Sequence, residues 1–130
     1  MNEDALYKEI DEFILEHIDT VPHLEALLQL WNSRPREWTV EEVASALYVS
    51  SGMARAILQD LTRRGFLVAG RETPESFRYE SLSIKRDSLV EAVEARYRKD
   101  LIRTSRMIHS KASPGVREFA QAFRFTKERG

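Results

Sequence analysis

Between residues 39 and 70 the chain carries two helix start signals and one stop in close succession, so no long helix fits there. The run "TVEE" at Thr39 is a capping box: the Thr39 hydroxyl can accept from one orphan amide and Glu42 can reach back to another. A second cap follows at Ser50 in "YVSSGM", so the helix that Thr39 opens is short and the chain must turn before Ser50. The helix that Ser50 opens is expected over 51–64. Gly65 is its stop, because glycine takes positive φ without a steric penalty. At about 100° per residue, Ala54, Ile57, Leu58 and Leu61 share one face of that helix. Gly52, Ala56, Gln59 and Arg63 occupy the other side. "FLVAG" then has the aromatic and β-branched content of a strand.

The flanking sequence completes a mainly α chain with a small antiparallel β-hairpin. Leu6, Ile10, Phe13, Ile14 and Ile18 recur at helical spacing and predict a first helix from residue 4 to about 19. Pro22 is tolerated only in a first turn, so it opens a second helix with Leu24, Leu27, Leu28 and Trp31 on its buried face. "NSRPREW" reads as loop. "SFRYESL" is the second strand of the hairpin, and Pro74 belongs to the turn before it. From residue 86 to about 110 the pattern Val90, Val93, Tyr97, Leu101, Thr104 and Ile108 predicts one continuous helix of about 37 Å. Ser113 caps a last helix with Val116, Phe119, Ala120 and Phe123 on one face. The 130 residues suffice for one domain with its own core, and two independent ones are not expected.

Net charge is −1, yet the charges are segregated along the chain. Residues 1–30 hold eight acidic groups against one lysine, 31–84 balance seven against seven, and 85–130 hold twelve basic groups against six acidic. That asymmetry favours an acidic first helix lying near a basic late one, within one chain or between two. With no cysteine, disulfides, thiolate metal sites and a cysteine nucleophile are excluded. The N-terminus lacks the basic-then-apolar order of a signal peptide and no apolar run approaches a membrane span, so a soluble, cytoplasmic protein is expected. An enzyme is the weakest class. His17, His23 and His109 form no metal motif, and no glycine-rich phosphate loop or nucleophile elbow occurs. Neither a cofactor nor a metal is expected.

The stretch "LYVSSGMARAILQDLTRRGFLVAG", with helices before it and a hairpin after it, resembles a winged helix-turn-helix domain over residues 22–82. Val49 stands at the turn's small apolar anchor, and "RRGFL" resembles the exit from the recognition helix. With the flanking segments 1–21 and 83–130, the element order is similar to that of MarR-type regulators. The resemblance implies a homodimeric, sequence-specific regulator of transcription that binds double-stranded DNA. It places Ser51, Gly52, Arg55, Ala56 and Gln59 toward the major groove, Arg63 and Arg64 near the helix end, and Arg71 and Arg78 on a wing spanning 66–82. It also suits Val90, Val93, Tyr97, Leu101, Ile108, Phe119 and Phe123 to a dimer seam, the alternative being that they cover the winged core of a single chain. Two departures stand beside it: Glu72, Glu75 and Glu80 put carboxylates on or next to the wing, and the Asp-Arg wing signature is missing. The alternative reading is therefore a protein-interaction module built on the same scaffold.

Overall fold

The computed structural model describes residues 3–71 and 75–112. Chain order is α1 (Glu3–His17), α2 (Val21–Asn32), β1 (Trp38–Thr39), α3 (Val40–Leu47), α4 (Ser51–Arg63), β2 (Leu67–Ala69), β3 (Ser76–Tyr79), α5 (Ile84–Lys99) and α6 (Leu101–Ala112). The local signals act as the sequence predicts. Thr20 caps α2 with Pro22 in its first turn, Thr39 and Glu42 close the capping box on α3, and Ser50 accepts from the Met53 amide at the head of α4.

Helix α2 lies at the centre. Leu24, Ala26, Leu27, Leu28, Leu30 and Trp31 are buried on nearly every side of it, as befits a helix packed against α3, α4, α5, α6 and β3. The core extends from Ile10, Phe13 and Ile14 of α1 through Val43, Leu58 and Leu61 to Val90, Val93 and Ile108. Phe66, just after α4, is fully buried. It meets Phe13 and His17 edge-on at 5.8 and 5.7 Å, and Arg86 lies over its ring at 4.3 Å.

The hairpin of the sequence reading is part of a three-stranded sheet of order β1-β3-β2, antiparallel throughout. The added strand, β1, pairs Trp38 with Phe77 and Thr39 with Ser76. Two residues are too few for a periodic signal, and their identity as strand comes from β3 alone. Tyr79 ties the sheet to the helices: its ring meets Trp31 edge-on at 5.0 Å, and its hydroxyl donates to Asp87 of α5 at 2.6 Å.

The single helix expected over 86–110 is instead two. It starts at the Ser83 cap and breaks at Asp100, whose φ of −139° and ψ of 62° are not helical. Asp100 closes α5 by donating its amide to the Arg96 carbonyl and opens α6 by accepting from the Thr104 amide. The expected acidic–basic meeting occurs within the chain: Asp11 of α1 accepts two hydrogen bonds from Arg103 of α6, at 2.9 and 3.3 Å, and lies 3.7 Å from Arg96 of α5. The helix expected from Ser113, with Phe119 and Phe123, lies outside the described residues. Among the described residues no helix is long and apolar enough to cross a membrane.

Candidate nucleic-acid interface

Burying Ala54, Ile57, Leu58 and Leu61 against the core fixes which side of α4 is left in solvent. Gly52, Arg55, Ala56, Gln59 and Arg63 are exposed, and their spacing of three and four lines them along one stripe of the helix. A β-carbon at Gly52 would meet nothing within 4 Å, so the head of the stripe is open space. Ser51 is half-buried and donates to Glu41 of α3 at 2.7 Å. Arg55 pairs with Glu75 beside β3 at 3.3 Å, which ties the helix face to the wing. On the wing itself, Arg71 is exposed, while Arg78 is half-buried and pairs with Glu80 at 3.5 Å.

Sequence reasoning put Arg64 with the outward residues, and the structure turns it inward. Its guanidinium reaches Asp60 at 3.2 Å, Asp19 at 2.8 Å and the Glu16 carbonyl at 3.3 Å. Four residues on from Asp60, Arg64 shares the inward side of α4 with it, and the Glu16 carbonyl and Asp19 at the α1–α2 corner hold the guanidinium there. Arg63, by contrast, stays exposed and reaches Asp60 at 2.7 Å.

Asp60 is thus the point where the recognition-type helix is fastened to the body of the protein. His23 faces it with Nε2 at 3.1 Å, while the Thr20 hydroxyl lies 2.6 Å from His23 Nδ1. The neutral tautomer that fits donates from Nε2 toward Asp60 and accepts from Thr20. Burial holds the His23 pKa below 6.5, with Asp60 and Asp19 opposing that shift. Burial also pushes Asp60 upward, but the Arg63 hydrogen bond and the charges of Arg64 and His23 outweigh it and hold the carboxyl below its ordinary range. Asp19, His23 and Asp60 bring ligand-type atoms within 4.8 Å of one another, a grouping the histidine spacing did not reveal. The Arg64 guanidinium already supplies the positive charge between the two carboxylates.

The expected dimer seam divides in three. Val90, Val93 and Ile108 are fully buried within this chain, so they cover its own core and have nothing left to offer a second copy. Tyr97 is half-buried, with its hydroxyl pushed up by burial and by Glu25. Leu101 is 51 % exposed and the adjacent Ile102 66 %, and it is these that stand free at the start of α6. Phe119 and Phe123 lie outside the described residues.

A short helix, a turn, an exposed-face helix and a three-stranded sheet with its hairpin folded beside that helix define a winged helix-turn-helix, here with helices added at both ends. The fold is similar to that of MarR-type winged-helix regulators. MepR, a transcription regulator of the Staphylococcus aureus multidrug efflux pump MepA, matches over 96 % of this chain and 88 % of its own at a TM-score of 0.55, with 16 % identity. Sco5413, a MarR family transcriptional regulator from Streptomyces coelicolor, matches over 95 % and 81 % at 0.55, with 18 % identity. A MepR mutant from S. aureus bound to an oligodeoxyribonucleotide matches over 96 % and 88 % at 0.54, with 16 % identity. No protein-family model matches the sequence, and no curated protein does so either.

Proposed function

We propose that this protein is a DNA-binding regulator of transcription that acts as a homodimer, with the exposed stripe of α4 in the major groove and the wing on the flanking backbone. The observation that carries the reading is the stripe itself: a capped helix, fastened through Asp60 and Arg64, leaves Gly52, Arg55, Ala56, Gln59 and Arg63 exposed along one side. Winged neighbours that are transcription regulators, one of them solved with an oligodeoxyribonucleotide, support it.

Arg55 suits a bidentate contact to guanine and Gln59 one to adenine. The Arg55–Glu75 pair must open first, but both partners are about half exposed, and such a pair is worth at most about 1 kcal/mol. A bidentate base contact is worth about 1–3 kcal/mol, so the exchange favours DNA. With Glu75 on Arg55 and Asp60 on Arg63, both arginines of the exposed α4 stripe already carry a carboxylate partner, which leaves little free positive charge there for phosphates. Two half-sites bound together supply what one lacks. The second copy fits at α1 and α6, where Leu101 and Ile102 are exposed and the acidic Glu9, Glu12 and Glu16 of one chain can meet Arg106 of the other.

Fluorescence anisotropy against fragments from around the protein's own gene, at two salt concentrations and with a scrambled competitor, tests the reading. Competitor-resistant binding that is abolished by charge reversal at Arg55 and Arg63 is the expected outcome. Equal, salt-erased binding to every fragment would overturn it and favour a protein partner for the same carboxylate-rich face.

A further inference from the structure

Among the described residues Tyr48 serves neither the conformation nor the packing of its own chain. It ends α3 at φ 57° and ψ 43°, the left-handed region, where its amide donates to the Ala44 carbonyl. Gly65 is the other described residue at positive φ, so at residue 48 a side chain stands where glycine or asparagine is the relaxed choice. Strain of this kind persists where something else requires the residue. Packing does not require it: the ring is 96 % exposed, whereas Leu47 and Val49 on either side pack onto the core and fix the backbone between them. The ring therefore projects from the turn joining α3 to α4, close in sequence to Ser51 and Gly52 at the head of the exposed stripe.

We infer that Tyr48 is a DNA-backbone contact, its ring lying against a deoxyribose and its phenolic O–H donating to a phosphate oxygen. The inference rests on the DNA-binding reading and adds to it a contact that carries no charge. That chemistry suits this face. Glu75 offsets Arg55 and Glu41 takes up the Ser51 hydroxyl, and a neutral donor with a flat apolar body can approach a phosphate without the Arg55–Glu75 pair being broken.

Two substitutions separate strain from contact. Tyr48→Gly relieves the left-handed backbone and is expected to raise the melting temperature by about 2–5 °C. In the same protein, DNA affinity should fall about tenfold per half-site. Because no cation is lost, the slope of log K against log salt should stay that of the wild type, whereas Arg78→Ala should lower it by about one. Tyr48→Phe keeps the ring and the fold, and should lose about threefold by surrendering only the hydroxyl bond. Wild-type affinity in Tyr48→Gly, while charge reversal at Arg55 still abolishes binding, would overturn the inference and leave the DNA-binding reading standing. A lower melting temperature would also overturn it, since the ring would then be packing within the chain. Absence of any specific binding by the wild type would remove both.

Discussion

Replacing Asp60 by alanine tests the fastening of α4 most directly. The carboxylate is 16 % exposed and meets three groups of unequal weight. Arg63 is 72 % exposed, and a surface pair of that kind contributes no more than a few tenths of a kcal/mol, about 0.5 at most. Arg64 is 27 % exposed and, after the loss of Asp60, keeps Asp19 and the Glu16 carbonyl, so its charge is not abandoned. Losing one charge-assisted bond there costs about 1.5 kcal/mol. His23 is 13 % exposed and would be left with its Nε2–H facing no acceptor, which adds about 1 kcal/mol. The expected loss is therefore about 2–3 kcal/mol, read as a lower urea midpoint with an unchanged m-value. Arg63→Ala, as the control, should stay within about 0.5 kcal/mol of the wild type. Equal effects from the two substitutions would refute the argument, because they would mean that the inward bonds of Asp60 contribute no more than its solvent-exposed one.

The same cluster sets a pH dependence. The folded pKa of His23 lies below 6.5, so on acidification the unfolded chain takes up the proton first; stability is complete above that pH and declines as the pH falls toward the folded value. Asp60 is also depressed, and its contribution declines separately as the pH drops below about 4 toward its own folded pKa. His23→Gln should remove the first decline and leave the second in urea titrations at stepped pH. Gly65→Ala should cost about 1–2 kcal/mol by the same assay: φ is +86° and the new Cβ would lie 2.7 Å from Arg86 Nη1, whose bond to the Arg64 carbonyl closes the end of α4.

Where a feature depends on neighbours in sequence, the sequence states it plainly. Thr39 with Glu42, Ser50, Pro22 and Gly65 each act within four residues, and each marks its element boundary as expected. The break at Asp100 was local too, and legible in hindsight: Arg96, Arg98 and Lys99 are a basic last turn, followed by a capping-type aspartate before Leu101. An unbroken apolar period across it masked that signal. Other features require the fold. The exchange of Arg64 from outside to inside depends on Asp19, far away in sequence, and β1 exists because β3 lies beside it. Likewise, Val90, Val93 and Ile108 have the spacing of a seam, but whether such a stripe meets its own core or another chain is decided by what α1 and α2 leave uncovered.

Asp100 has a mechanical consequence. In a continuous rod, a push at one end turns the other, because every backbone bond along it resists bending. Here the amide and carbonyl of residue 100 are each satisfied on their own side, the first by α5 and the second by α6. Tilting α6 about this point breaks no helical hydrogen bond and is resisted by side chains, the buried Thr104 and Ile108 together with the Asp11–Arg103 pair. A load on α6 therefore reaches α5, which holds the end of α4 through Arg86, by way of side-chain packing and not along a continuous backbone ladder. The joint divides the backbone at residue 100 and leaves the coupling of the outer helix to α5 in the hands of its buried side chains.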